Sequence, residues 1–321
     1  MSKRESRKWG AAFAAAAVVL AFGTALAFAR EKYEEKFEKT VALANDGKVI
    51  LKNVSGDIEI RSSRENQVRI EAVKVSQASS MDKAKENAAK VTIEVTSEAG
   101  VVQVLTRFPE RQGGFWGGDS LNVSVNYKLS IPEKASVDVK SVSGDVRLES
   151  IGGSAKVKSV SGDAVIRGAA GADVDLTSGD LTLQNISGDV YIKSVSGDIE
   201  ATGIKGSIEL SSISGEIDLK DVSDARSVTA KTVSGNITYV GSILAAGNYE
   251  LKSFSGNVEM RIPAGSAFDI EASTRSGVID SDFPVEVSGR ISPKEIHGTV
   301  NKGGARIRLS TFSGDIELRK Y

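Results

Sequence analysis

Glycine returns in this chain at a fixed short interval, and that interval limits the folds open to it more than any other feature. Gly144, Gly153, Gly162 and Gly171 are nine residues apart; one residue is lost, and Gly179, Gly188, Gly197, Gly206 and Gly215 are again nine apart. Gly235, Gly256 and Gly277 follow at intervals of 20 to 21, and Gly314 closes the series. Many of these glycines sit in Ser-Gly-Asp. A short fixed period marks a stacked architecture in which each unit buries its apolar face only against its neighbours.

Within one unit, Asp145 to Gly153, the apolar residues are second (Val146), fourth (Leu148) and seventh (Ile151). The next units give Ala155, Val157 and Val160, then Ala164, Ile166 and Ala169, then Leu181, Leu183 and Ile186. Positions two and four share one face of a strand because side chains alternate. An inward seventh residue then requires the chain to turn between four and seven. Ser-Gly-Asp could be a hairpin turn in an antiparallel meander or a corner of a solenoid. The pattern favours the solenoid, two nine-residue half-coils making an 18-residue coil, with Val142 on Val160, Gly144 on Gly162 and Asp145 on Asp163. Right-handed winding is the rule for parallel crossovers. At ~4.8 Å per coil, about ten coils from residue 135 to the end would make a rod roughly 45–50 Å long.

The expected organisation has four parts. Residues 1–29 are a signal peptide or signal anchor. Lys3, Arg4, Arg7 and Lys8 precede 21 uncharged residues, Trp9 to Ala29, a stretch just long enough to span a bilayer. Cleavage before Arg30 and retention as a transmembrane helix are both open, and either delivers the rest outside the cytoplasm. Residues 30–39 (REKYEEKFEK) read as a solvated spacer or short helix. Residues 40–134 are β-rich, with a short helix near 80–90 capped by Ser80 and a loop at 107–119. Residues 135–321 carry the regular repeat. The chain is thus expected to be an all-β, right-handed parallel β-solenoid with one N-terminal membrane or signal helix.

The repeated Val-Ser-Gly-Asp, then Ile262-Pro263-Ala264-Gly265, Ser273-Thr274-Arg275-Ser276-Gly277, Phe283-Pro284 and the closing Thr311 to Leu318 strand, resemble the bacterial "putative adhesin" family of β-strand-repeat proteins. The resemblance covers about residues 40 to 321. It implies a β-solenoid in the cell envelope and no catalytic residues, the family being a domain of unknown function.

Chemistry-bearing candidates are few. Cysteine is absent, and 41 basic against 42 acidic side chains give no global argument for a nucleic-acid partner. The Asp after glycine (Asp145, Asp163, Asp180, Asp189, Asp198, Asp315) could line up carboxylates for Ca²⁺. The alternative is a turn role, in which Gly144, Gly162, Gly188, Gly197 and Gly314 supply positive φ and Asp satisfies backbone groups. The turn role is preferred, because Glu216, Asn236 and Asn257 stand at the same place in other copies, so no metal or cofactor is expected. His297 is the only histidine, too few for a multi-histidine zinc site, and Ser80-Met81-Asp82-Lys83 lacks the partner motifs of a Ser-x-x-Lys enzyme. Phe115 and Trp116, between two glycine pairs, are candidates for docking a protein or glycan partner, or else cover an open end. The chain therefore reads as a non-enzymatic envelope scaffold, adhesin or partner-binding protein. The alternatives are a carbohydrate-active β-helix enzyme and a filament assembled by end-to-end strand pairing.

Overall fold

The computed structural model describes residues 30–109, 121–287 and 292–321. Its elements are β1 (Glu31–Ala42), β2 (Lys48–Lys52), β3 (Ile58–Ser63), β4 (Gln67–Ala78), α1 (Met81–Ala89), β5 (Thr92–Glu98), β6 (Val101–Arg107), β7 (Val123–Pro132) and β8 (Ser136–Ser143). The long strands β9 (Val146–Ser161) and β10 (Ala164–Ser178) follow. Shorter ones come next: β11 (Leu181–Ile186), β12 (Val190–Ser196), β13 (Ile199–Ile204), β14 (Ile208–Ser214), β15 (Ile217–Val222), β16 (Ser227–Ser234), β17 (Ile237–Gly241), β18 (Asn248–Ser255) and β19 (Val258–Ile262). The last are β20 (Phe268–Ser276), β21 (Ile279–Ser281), β22 (Glu286–Val287), β23 (Glu295–Val300), β24 (Ala305–Ser313) and β25 (Ile316–Lys320). All the strands join one hydrogen-bonded sheet.

The pairing is parallel through the repeat, and its register follows from the sequence interval. Ala164 pairs with Val146 and Leu181, and Leu181 with Ile199, so this column of strands runs through β9, β10, β11, β13, β15, β17 and β19. Ala172 pairs with Ala155 and Val190, and Val190 with Ile208, so a second column runs through β8, β9, β10, β12, β14, β16 and β18. Segments nine residues apart therefore lie in different columns, and segments 17 to 21 apart lie on each other. Between the columns sits a continuous aliphatic core, including Val146, Leu148, Val157, Ile166, Leu183, Ile192, Ile204, Leu210 and Leu251.

The seventh position divides the half-coils in two. Ile151, Ala169, Ile186, Ile204 and Val222 are buried. Each follows a residue in the left-handed region: Ser150, Gly168, Asn185, Gly203 or Asp221, with φ of 51° to 70°. That residue bends the strand and turns its successor inward. In the other half-coils no such residue occurs, the strand runs straight, and the seventh residue faces solvent. Val160, expected inside, is 49% exposed, and Val142, Val195, Ile213 and Val233 are 45–53% exposed. The inward position passes instead to the preceding Ser or Thr. Ser159, Ser212 and Thr232 are buried and donate to the carbonyls of Ser161, Ser214 and Ser234 at 3.3 Å.

Coil order also departs from a simple spiral. β18 and β19 pair with β24 and β25, which in turn pair with β20 and β21. The last copy in sequence is thus inserted beneath the one before it, and β23 covers β20 antiparallel. At the other end β2 and β3 pair with β8 and β9, so a rung of the repeat comes from the first 63 residues. Beyond it lie β7, β4 and β1, with β4 antiparallel to both of its neighbours. Residues 30–39, expected as a spacer or short helix, lie almost wholly in β1, where alternate Tyr33, Glu35 and Phe37 are half-buried and Glu35 pairs with Lys74 at 2.9 Å. Helix α1 starts at Ser80, whose hydroxyl accepts from the Lys83 N–H at 3.3 Å, and buries Ala84 and Ala88.

Candidate interaction surface

Two stacked rows define the Ser-Gly-Asp corner. In the first, glycines lie on each other in the order Gly56, Gly144, Gly162, Gly179, Gly197, Gly215, Gly235, Gly256, Gly314, Gly277, with φ between 111° and 159°. From Gly144 on, a Cβ would run into the carbonyl oxygen of the preceding glycine, so both φ and stacking distance demand glycine. Gly188, grouped with these from the nine-residue spacing, belongs to the opposite corner and is not in the left-handed region. The interval of nine is really two alternating corners within an interval of 18.

In the second row the side chain after glycine accepts a hydrogen bond from the backbone of the next rung. The Oδ1 of Asp57, Asp145, Asp163, Asp180 and Asp198 accepts from the N–H of residues 145, 163, 180, 198 and 216, at 2.8–3.1 Å. Asn236 and Asn257 do the same for Asn257 and Asp315, and Asp315 for Val278. Asp189, at the other corner, accepts from Ser207. An amide oxygen replaces the carboxylate without loss of the bond, so the row needs an acceptor rather than a charge. Among the described residues no group of three or more His, Asp or Glu is placed to hold a metal ion.

Beside these rows runs the feature that the sequence pattern concealed. The residues preceding each Ser-Gly lie on adjacent rungs: Val54, Val142, Val160, Thr177, Val195, Ile213, Val233, Phe254, Phe312 and Arg275. Eight of the ten are aliphatic or aromatic, and these eight are 39–55% exposed. Phe254 and Phe312 stack with centroids 4.9 Å apart and planes 5° apart, and the Arg275 guanidinium lies 5.9 Å from the Phe312 ring. From Val54 to Phe312 the ridge spans eight rung steps, roughly 38 Å. An exposed strip of that length, apolar at every rung but that of Thr177, is the kind of surface that marks an interaction site.

The remaining candidates lie apart from the ridge. A shallow groove of about 460 Å³ is lined by Lys48, Lys156, Asp173, Asp189 and Tyr191 among others. His297 is a surface residue of β23, 2.8 Å from Glu295. Outward charges pair across rungs: Arg61 with Glu149 at 3.1 Å, Arg167 with Glu149 at 3.5 Å, and Lys158 with Asp175 at 2.9 Å. The Asp175 carboxylate holds the Lys158 ammonium above the usual lysine range. At the β2–β3 rung the inward Ser is replaced by Asn53, which donates to Val125 and accepts from Thr106, itself bonded to buried Tyr127; burial pushes the Tyr127 phenol up to about 12. Phe115, Trp116 and Trp9 to Ala29 lie outside the described residues. Among the described residues no helix is long and apolar enough to cross a membrane.

Among solved structures, the chain is similar to a putative adhesin from Parabacteroides distasonis at 12% identity, over 88% of this chain and 97% of that one, with a TM-score of 0.46. It is similar to a putative adhesin from Bacteroides fragilis at 12% identity, over 89% and 97%, with a TM-score of 0.41. A putative lipid binding protein from Parabacteroides distasonis matches at 11% identity, over 88% and 96%, with a TM-score of 0.34. No curated protein matches the chain. The Toastrack DUF4097 family matches residues 48–319, and the chain belongs to that family.

Proposed function

We propose that this chain is a non-enzymatic scaffold of the bacterial cell envelope that takes a protein partner along its side, in the manner of an adhesin. The observation that carries the reading is the straight ridge of half-exposed Val, Ile and Phe beside the Ser-Gly-Asp corner. Selection for turn geometry alone would not require apolar residues there, since Thr177 and Arg275 occupy the same position. Trp9 to Ala29, with Lys3, Arg4, Arg7 and Lys8 before it, anchors the chain or directs its export, so that the solenoid works outside the cytoplasm. Its coils wind right-handed as nine-residue half-coils. The enzyme alternative is disfavoured because neighbouring outward charges neutralise one another in pairs such as Lys158–Asp175 rather than converging on a cleft.

Two results test this reading. Protease added outside cells whose outer barrier has been opened should digest the solenoid, and a photoreactive side chain at Phe254 of the tethered protein should form an adduct with a protein. Protection from the protease, a ridge without adduct, or oligosaccharide release from envelope polysaccharides would contradict it.

A further inference from the structure

The apolar ridge is bordered by two charged columns of opposite sign. At six of the ten rungs the residue two before the ridge position, on the same outward face of the strand, is Lys (Lys52, Lys140, Lys158, Lys193, Lys231 and Lys252); the others carry Asp175, Ser211, Ser273 and Ser310. Three residues after it, just past the corner, stand Asp57, Asp145, Asp163, Asp180, Asp198, Glu216 and Asp315, with Asn236, Asn257 and Val278 at the other rungs. Among the described residues Lys52, Lys140, Lys193 and Lys252 make no ion pair, and neither do Asp145, Asp163, Asp180 or Asp198, whose Oδ1 atoms only accept backbone N–H groups. An apolar strip with a mainly cationic border, in which Lys158 and Lys231 are engaged by Asp175 and Glu250, and an anionic border is complementary to itself under one symmetry only. When two copies face each other about a two-fold axis parallel to the stacking direction, each Lys column meets the other copy's acidic column. When the two-fold is perpendicular to that direction, Lys faces Lys and Asp faces Asp, and like charges across an interface are repulsive.

We infer that the ridge is the interface of a side-by-side homodimer, with rung facing the same rung and Lys52, Lys140 and Lys193 opposite Asp57, Asp145 and Asp198 of the second copy. This rests on the reading of the ridge as a partner site and names a second copy as the partner. An isologous contact of this kind is the commonest in homo-oligomers. A strip ~38 Å long with its charged borders approaches the ~800 Å² per partner of a standard interface. The parallel arrangement also places Arg30 of both copies at one end, as two chains tethered to one membrane require.

The chain has no cysteine, so single cysteines report the contact without background. Val142→Cys, Val195→Cys and Val233→Cys are introduced separately into the full chain in its membrane and oxidised, with Arg147→Cys on the other column as the comparison. The expected result is a disulfide-linked homodimer from all three ridge variants, at several-fold higher yield than from Arg147→Cys, and a several-fold loss when Lys140→Glu and Lys193→Glu are added. A homodimer only from Val195→Cys, near the ridge midpoint, means a perpendicular two-fold and overturns the inference. Ridge yields no higher than Arg147→Cys overturn it too. Crosslinks from the ridge to a different protein overturn the homodimer while leaving the proposed partner-binding function standing.

Discussion

The two corners of each coil turn the same chain by different means. At the corner that contains Ser150, Gly168, Asn185, Gly203 and Asp221, one left-handed residue makes the bend, and the next rung leaves room for a side chain. A Cβ on Gly168 would meet nothing closer than 3.5 Å, so the position accepts Ser, Asn, Asp or Gly. At the Ser-Gly-Asp corner the backbones stack so closely that a Cβ would strike the preceding glycine's carbonyl. Stacking distance, more than φ, separates the left-handed position of the first corner, which tolerates variation, from the Ser-Gly-Asp glycine, which does not; Gly188 and Gly206 show that the first corner also has a close-packed position. The same difference decides where the seventh residue points, inward after the left-handed bend and outward before Ser-Gly-Asp.

The sharpest way to break this contrast is to put a charge at the seventh position of each kind. Ile204→Asp, at a site 0% exposed, is expected to cost more than ~4 kcal/mol, whereas Ile213→Asp, at 53% exposure in one chain, is expected to stay within ~0.5 kcal/mol when unfolding is measured at a concentration where the chain is monomeric. Similar losses from both would refute the inward–outward assignment. Next in size is the glycine comparison. Gly197→Ala combines φ of 120° with a backbone clash and is expected to cost about 3 kcal/mol or more; Gly168→Asn, adopting what Asn185 already does, should cost under ~1 kcal/mol by denaturant unfolding. The smallest effect concerns the buried hydroxyls. Ser159→Ala removes a donor to the Ser161 carbonyl and is expected to lower stability by ~1 kcal/mol. Ser194 Oγ is buried with no partner among the described residues, so Ser194→Ala should be neutral or stabilising.

The sequence made the repeat legible because its glycines carry a steric requirement that nothing else satisfies. Helix α1 was legible from Ser80 and the small residues behind it. The division into two corners was harder to see, since it hangs on one residue before the seventh position: Ser150, Asn185 and Asp221 in one class, Ser159, Ser194 and Thr232 in the other. Ser occurs in both, and only conformation distinguishes Ser150 (φ 59°) from Ser159. Counting Val160 as core followed from reading every aliphatic seventh residue as inward, and it hid the ridge. β1 was missed because its charges suggested solvent, although period-two alternation of Tyr33, Glu35 and Phe37 was present. The insertion of β24 between β18 and β20 left no local trace, because strand order is set by long-range pairing. Phe115 and Trp116, singled out by their glycine flanks, lie outside the described residues.

Everything specific to the ridge depends on coils stacking in parallel, one rung per repeat, from Val142 to Phe254. Spin labels on a Val142→Cys, Phe254→Cys double variant measure that directly by pulsed dipolar spectroscopy. Six rung steps predict a single narrow distance distribution centred near ~29 Å between the backbones, lengthened only by the labels. A maximum well below ~20 Å, or a spread with no maximum, would mean that the rungs do not stack in this order.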